Sequence, residues 1–575
     1  MREPSRRENG CETSPPYGHR MASINIPAAK RAGLPVDLER LRAEGDSWLT
    51  AEDRFALKTY GACTQLQDGV FMVRVRIAGG VLPTTHARAL ARIANRHAED
   101  WLHLTTRQSC ELHWVEDRRV PDVLDELARA GLSTRSACGH TVRNVMCSED
   151  AGVGLDEPFD CFPDARLISD TLVARSATLN VTLPGRINIS LGGSPRCRHD
   201  ALVNDVGLVS IVRDGEAGYE IWAGGSLGKA PSLGVMLAPF VPRRQLPAAI
   251  DAIVDLYVAH GDFDTPAKGR MKFVVERLGV DGFRGAYLEA FREAQLRPQP
   301  TVPPVEVLSD EATTVILAET PPGGWSIGVR PQRSAGLATV TIDLPLGDTN
   351  SSEFRLLCDL ADTYADGHLT FTRDQNIALR NVSLAGVAAI RNAIAQRGLF
   401  LLGEAPNAQI RACTGATVCA LGITDSPGLG KLLSTSASLR RNSALSVFIS
   451  GCPNSCAQHQ VSDIGLAGSK VRVNGRTSDG YQVFVGAVLD DHLIGEVVGR
   501  VAERDLPTAL DAIVGTWEAL RHPNESLGRT VRRLGLDAFS LQIAAVLEDR
   551  WAPGPEEVNT ATIEPDLTTT AVSLP

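Results

Sequence analysis

The chain has 575 residues, 43% hydrophobic and 22% charged, with a formal net charge of −10. It is too long for a single core and has the composition of an ordinary globular protein with several domains. The negative balance argues against general nucleic-acid binding while leaving room for a local basic pocket, and no window nears the roughly 18 apolar residues needed to cross a bilayer.

In chain order, Met1–Arg20 carries arginines without an apolar core, so it does not read as a secretory signal, and Met21 is an alternative start. The cytoplasm is then the default compartment. There thiols stay reduced, and paired cysteines are ligands more often than disulfides. Val70–Ile77 alternates as a strand. A helix follows, and then Leu104-Thr105-Thr106-Arg107-Gln108 brings an arginine. A second helix closes near Gly131, before His140-Thr141-Val142-Arg143. Arg186, Arg196, Arg198 and His199 form a basic run. The glycine-rich stretch Gly224–Lys229 superficially matches a phosphate loop. Ala223 and Ala230 occupy its required glycine and hydroxyl positions, so nucleotide binding is rejected. Prolines from Pro298 to Pro304 mark a linker.

The chain beyond the linker repeats the chain before it. Thr339–Leu344 matches the first strand, and Leu369-Thr370-Phe371-Thr372-Arg373-Asp374-Gln375 matches the arginine-bearing segment. Ala408-Gln409-Ile410-Arg411 follows in the place of His140–Arg143. Val203-Asn204-Asp205-Val206-Gly207-Leu208 matches Val461-Ser462-Asp463-Ile464-Gly465-Leu466. The offset stays near 260, as from Leu208 to Leu466 and from Val254 to Val514. One offset held through six ordered landmarks implies a duplicated α+β unit with a site between its copies.

The copies differ where chemistry would be. The second contains Cys413 and Cys419 in a C-x5-C pair, and Cys452 and Cys456 in a C-x3-C pair. The first has the basic run instead. Four thiolates from two loops suit a metal centre. A zinc knuckle fits C-x3-C but poorly fits C-x5-C, whereas an iron–sulfur cluster tolerates both. Buried thiols remain a third reading. The eight other cysteines are scattered and read as small buried residues.

The run Cys413-Thr414-Gly415 to Cys419, then Ser450-Gly451-Cys452-Pro453-Asn454-Ser455-Cys456-Ala457 with His459-Gln460 and Asp463-Ile464-Gly465-Leu466, closely resembles the nitrite and sulfite reductases that carry sirohaem and a [4Fe–4S] cluster. The resemblance covers about residues 50 to 550. It implies an α+β, internally duplicated fold: two ferredoxin-like half-domains plus two sirohaem- and cluster-binding α+β domains. The expected plan is a disordered tail at 1–40, half-domains at 41–136 and 313–405, a sirohaem/substrate domain at 137–297, a linker at 298–312, a cluster domain at 406–550 and a second disordered tail at 551–575.

It implies that Cys413, Cys419, Cys452 and Cys456 ligate the cluster, with Cys456 also bridging to the sirohaem iron and Asn454 in the loop covering that junction. Arg107 and Arg143 match the two substrate-facing arginines. In Leu183-Pro184-Gly185-Arg186-Ile187-Asn188, Arg186 and Asn188 take the places of two active-site lysines, and Gly185 replaces an arginine expected to help hold cofactor carboxylates. Arg198 and Lys229 are expected near the cofactor, and Arg373 as a brace. The implied reaction is six-electron reduction of nitrite to ammonia or sulfite to sulfide, fed by a separate donor, ferredoxin or a flavoprotein subunit. No flavin or nicotinamide fingerprint occurs in the chain. Asn188 leans the substrate towards nitrite. A corrin-pathway tetrapyrrole monooxygenase and a non-enzymatic cluster protein are the competing readings.

Overall fold

The computed structural model describes residues 24–308, 320–321, 323–405, 408–473 and 476–550. The expected tail at 551–575 and the end of the expected linker lie outside the described residues. So does the side chain of Arg196.

Four sheets organise the described residues in two matching pairs. The first sheet runs Ala62–Thr64, Val70–Val75, Cys110–Glu116, Leu102–Leu104 and finally Asp348–Thr349, all antiparallel. Its counterpart runs Val329–Pro331, Leu337–Asp343, Ile377–Ser383, His368–Phe371 and finally Val81–Pro83. Each half-domain sheet is therefore completed by a strand from the other half of the chain. One apolar core fills the space between them, drawing Leu90, Leu102 and Leu112 from one half and Phe354, Leu357 and Phe371 from the other. Helix Thr84–His97 buries Ala87, Leu90, Ala91 and Ala94, the spacing of one helical face. Helix Ser351–Tyr364 starts at a capping box made by Asn350 and Glu353 and buries Phe354, Leu357, Cys358 and Ala361. Phe354 and Phe371 meet edge-on at 6.1 Å, and burying each contributes about 1.5–3 kcal/mol.

The other two sheets share one topology. Val142–Cys147, Ile187–Gly192 and Val206–Arg213 are parallel, and Glu216–Ala223 and Val235–Pro242 then pair antiparallel. Gln409–Ala412, Ser446–Ser450, Ile464–Val473, Arg476–Val485 and Glu496–Ala502 repeat that order. Even the register repeats, with Ile189 opposite Val206 and Val447 opposite Ile464. The repeated Asp-x-Gly-Leu has two physical causes. Asp205 accepts from Asn188 N at 2.9 Å, and Asp463 accepts from Ser446 N at 2.9 Å, so each buckles two parallel strands together. At Gly207 a Cβ would run into Ala201, and at Gly465 into the His459 carbonyl.

The expected disorder over 1–40 needs correction for its described part. Helices Ile26–Arg31 and Leu38–Glu44 stand there, the second crossing the expected boundary at 40. The first is held because Ala29 packs beside Phe55 and the Lys30 ammonium, buried with it, donates to the Leu183 carbonyl. Among the described residues no helix is long and apolar enough to cross a membrane.

Candidate active site

The site lies where the two copies meet. Tight turns present the two repeated arginines, Arg107 directly before Gln108 and Arg373 two positions before Gln375, with both glutamines in left-handed backbone geometry. Gln108 has φ +53° and Gln375 φ +64°. Gln108 Nε2 donates to Phe371 O at 2.8 Å, and Gln375 Nε2 donates to Leu104 O at 2.8 Å. This reciprocal pair fixes both turns. Gln108 also clasps Cys147, donating to its carbonyl and accepting from its N–H. Thr106 Oγ1 donates to Cys456 O at 2.8 Å, so the Arg107 turn is tied directly to the cysteine loop.

Arg107, Arg143 and Arg186 lie close enough for their charges to repel, and a fourth cation, Arg270, joins them. The charge of Arg270 works against that of Arg107, Arg143 and Arg186. Burial first, then the charges of Arg143 and Arg270, bring Arg107 down to about 10. For Arg186 the repulsion from Arg270 comes first, followed by burial, Arg143 and Arg107. Guanidinium stays charged at neutral pH all the same, so the pocket is strongly positive. Among the described residues only Arg270 has a buried carboxylate partner there: its Nη2 lies 2.9 Å from Asp205 Oδ1. Arg107 Nη1 reaches the neutral Asn204 side chain at 3.3 Å, and Arg143 donates to the carbonyls of Ala137 and Gly139. The Nε of Arg186 and the Oδ1 of Asn188 are buried without a partner among the described residues.

Gly185 is explained by packing. A Cβ there would lie 2.7 Å from Tyr257 Oη and 2.9 Å from Gly269 O. Tyr257 fills the space an arginine side chain would leave through, and Arg270, next to Gly269, supplies cationic charge instead. Sequence reasoning missed Arg270 and the second role of Asp205. The repeated Asp-x-Gly-Leu was visible, but the ion pair spans 65 positions and leaves no local signal.

The four paired cysteines are unbridged, and Cys413, Cys419 and Cys452 each lie near enough to Cys456 to feel its charge. Gly451 N donates to Cys413 Sγ at 3.2 Å, and Ser426 Oγ lies 3.5 Å from it. Burial, then the charge of Cys456, raises Cys413 and Cys419; burial raises Cys452. Cys456 and Asn454 are exposed, facing the cation half. No three His, Cys, Asp or Glu side chains among the described residues converge as one ion requires. A zinc knuckle would draw its thiolates around a single centre at about 2.3 Å each. Backbone N–H groups point at the sulfurs of Cys413, Cys419 and Cys452, as a cluster's hydrogen bonds do. The Nε of Arg186, unpartnered among the described residues, fits an acidic group such as a macrocycle carboxylate, whereas the guanidiniums of Arg373 and Arg411 are taken by Asp200 and Asp374.

Other expected residues fall in different places. Arg198 makes a two-point pair with Glu220, at 2.9 and 2.8 Å, which occupies its guanidinium. Arg373 is paired with Asp200 and donates to Ser190 Oγ at 3.0 Å, a bracing position. Lys229 is exposed beside the Cys452 loop, where Gly228 O accepts from Gln460 Nε2 at 3.0 Å.

The model of the nitrite and sulphite reductase 4Fe-4S domain matches residues 138–294 and again 405–551. The nitrite/sulfite reductase ferredoxin-like half domain matches 64–130 and 330–397. Relatives include a ferredoxin–nitrite reductase of Synechococcus elongatus, 29% identical over 77% of this chain and 85% of the relative. An assimilatory ferredoxin-dependent nitrite reductase of Haloferax mediterranei is 28% identical over 89% of both chains. A ferredoxin sulfite reductase of Mycolicibacterium paratuberculosis is 26% identical over 80% of this chain and 84% of the relative. The solved structure of the Mycobacterium tuberculosis NirA protein superposes with a TM-score of 0.76 at 25% identity, covering 91% of this chain and 98% of that one. With both domain types matched twice, in the order of the structural repeat, the chain belongs to the nitrite and sulphite reductase family, whose fold binds sirohaem and a [4Fe–4S] cluster.

Proposed function

We propose that this chain reduces nitrite to ammonia in the cytoplasm with electrons from ferredoxin. Family membership supplies the reaction class, and the printed activities of its relatives favour nitrite and a ferredoxin donor. The choice of nitrite over sulfite rests on one observation. Asn188, a neutral side chain with a free buried oxygen, stands in the cation pocket, and Arg270 is neutralised there by Asp205. A neutral amide at 188 and a neutralised Arg270 lower the pocket's positive charge, which lessens the advantage of a dianion over a monoanion. A cytoplasmic setting keeps the unbridged thiols reduced.

Cys413, Cys419, Cys452 and Cys456 would hold the cluster, and Arg186, Lys229 and Asn454 would border the macrocycle. When bound, the two groups supply the electron transfer and the open iron position. The protein's own part is electrostatic. Arg107, Arg143 and Arg186 hold the anion and stabilise charge gathering on its oxygens as N–O bonds break. Arg186 cannot release a proton near neutral pH, so protons reach the substrate from water ordered by these donors.

The discriminating experiment is a steady-state comparison of nitrite and sulfite with reduced viologen as the shared donor. The reading expects kcat/KM to be at least tenfold higher for nitrite. A higher value for sulfite would reverse the substrate assignment.

A further inference from the structure

Gln108 and Gln375 tie the two arginine turns together, but their amides are held by different means. Glycines leave room for both. A Cβ at Gly80 would lie 2.7 Å from Phe371 O, and one at Gly347 would lie 2.8 Å from Leu104 O. The Gln108 amide is complete, because its Oε1 accepts from Cys147 N at 2.9 Å. The Gln375 Oε1 is buried without a partner among the described residues. Its Nε2 faces His103 Nε2 at 3.3 Å while donating to Leu104 O at 2.8 Å.

These contacts decide where the His103 proton sits. The Leu104 carbonyl needs an N–H, which sets the Gln375 amide. An amide nitrogen only donates, so His103 Nε2 accepts. On its other side His103 Nδ1 lies 2.7 Å from Asp348 Oδ1, which also accepts from Trp101 Nε1 at 2.9 Å. Asp348 is the cross-strand partner of His103, on the strand that comes from the other half of the chain. The ring is therefore neutral, with its hydrogen on Nδ1. A second proton on Nε2 would set an N–H against the amide NH2. Turning the amide over would relieve that contact but leave two oxygens facing each other at Leu104. A charged His103 and the Gln375–Leu104 bond exclude each other.

We infer that His103 is a positioning residue: neutral, it holds Gln375 on the Leu104 carbonyl beside the Arg107 turn, and on taking a proton at Nε2 it releases that clasp. The charged and titratable groups facing the ring are Asp348, Glu111 directly across on strand Cys110–Glu116, Arg74 paired with Glu111, and His113, whose ring lies 6.2 Å away. Burial works against the imidazolium, and the hydrogen bond and charge of Asp348, with Glu111, outweigh burial and Arg74, so His103 is raised. Asp348 supplies the pull for the second proton and Gln375 the resistance. Acidification frees Gln375, and the Arg107 turn keeps only the Gln108 half of its reciprocal tie. The kinetic consequence rests on the proposed role of Arg107; release of the clasp does not.

The test follows hydrogen exchange of holoenzyme by mass spectrometry between about pH 5 and 8, corrected for the intrinsic effect of pH. It reads the peptide carrying Thr105 and Gln108, whose amides are bonded within the turn at 2.9 and 3.0 Å. Wild type is compared with His103→Gln and with Asp348→Asn, which keeps an acceptor oxygen but removes the charge. Wild type should lose protection there as pH falls, and His103→Gln should show no such transition. In Asp348→Asn the midpoint should move down by about one pH unit or more. A purely structural role would change protection at every pH and leave the midpoint in place. Wild-type protection that does not vary with pH, or an unshifted midpoint in Asp348→Asn, would overturn the inference. The acid limb of kcat/KM for nitrite should follow the same midpoints. A limb that ignores them, beside an exchange transition that behaves as expected, would uphold the clasp and remove Arg107 from the site.

Discussion

Arg107, Arg143 and Arg186 are carried into a pocket where burial and mutual repulsion both work against their charge. An anion bound among them would relieve that repulsion. Arg107→Ala removes one donor from the anion and should lower kcat/KM for nitrite by about 10²- to 10³-fold, with Arg107→Lys recovering part of the loss; unchanged steady-state kinetics would remove Arg107 from the site. These arginines were legible because each sits inside a long motif. Arg270 was not, since its meaning comes from Asp205, far away in sequence. Arg198 was legible as a cation but not as the partner of Glu220, which only the folded sheet brings alongside.

The duplication was legible at the scale of elements because the same strand patterns, turn residues and Asp-x-Gly-Leu recur at one spacing. The exchange of edge strands between the half-domains was not. Val81–Pro83 and Asp348–Thr349 are too short to show a period, and their partners lie in the other half. One element junction offers a sharp stability test. Asp164, wholly buried at the start of helix Phe162–Ala174, accepts from Arg243 Nε at 2.6 Å and Nη2 at 2.7 Å, and from the Tyr219 hydroxyl at 2.5 Å. Asp164→Ala strands a buried guanidinium and should destabilise the protein by about 3–5 kcal/mol. Denaturant unfolding of cofactor-loaded protein measures it, and a loss below about 1 kcal/mol would mean that water replaces the pair.

At the scale of the whole molecule, one carboxyl links stability to pH. Burial pushes Glu157 up to about 8, aided by Asp150 and Asp160 and opposed by the N–H groups of Gly152 and Gly154. The native state keeps this proton to about pH 8, while the unfolded chain releases it near 4.5. Between those values the unfolded state binds fewer protons, so this group makes stability fall as pH rises. Glu157→Gln should flatten that part of the Tm profile between pH 5 and 8, and an identical slope in the variant would contradict the assignment. The central claim concerns both halves together: cations on one copy serve an electron-supplying centre on the other. Its most direct test is the electron balance of holoenzyme given limiting nitrite and excess reduced viologen. The account predicts six electrons consumed and one ammonium formed per nitrite. Nitrite left unconsumed by cofactor-replete enzyme, or release of nitric oxide or hydroxylamine as the final product, would contradict it.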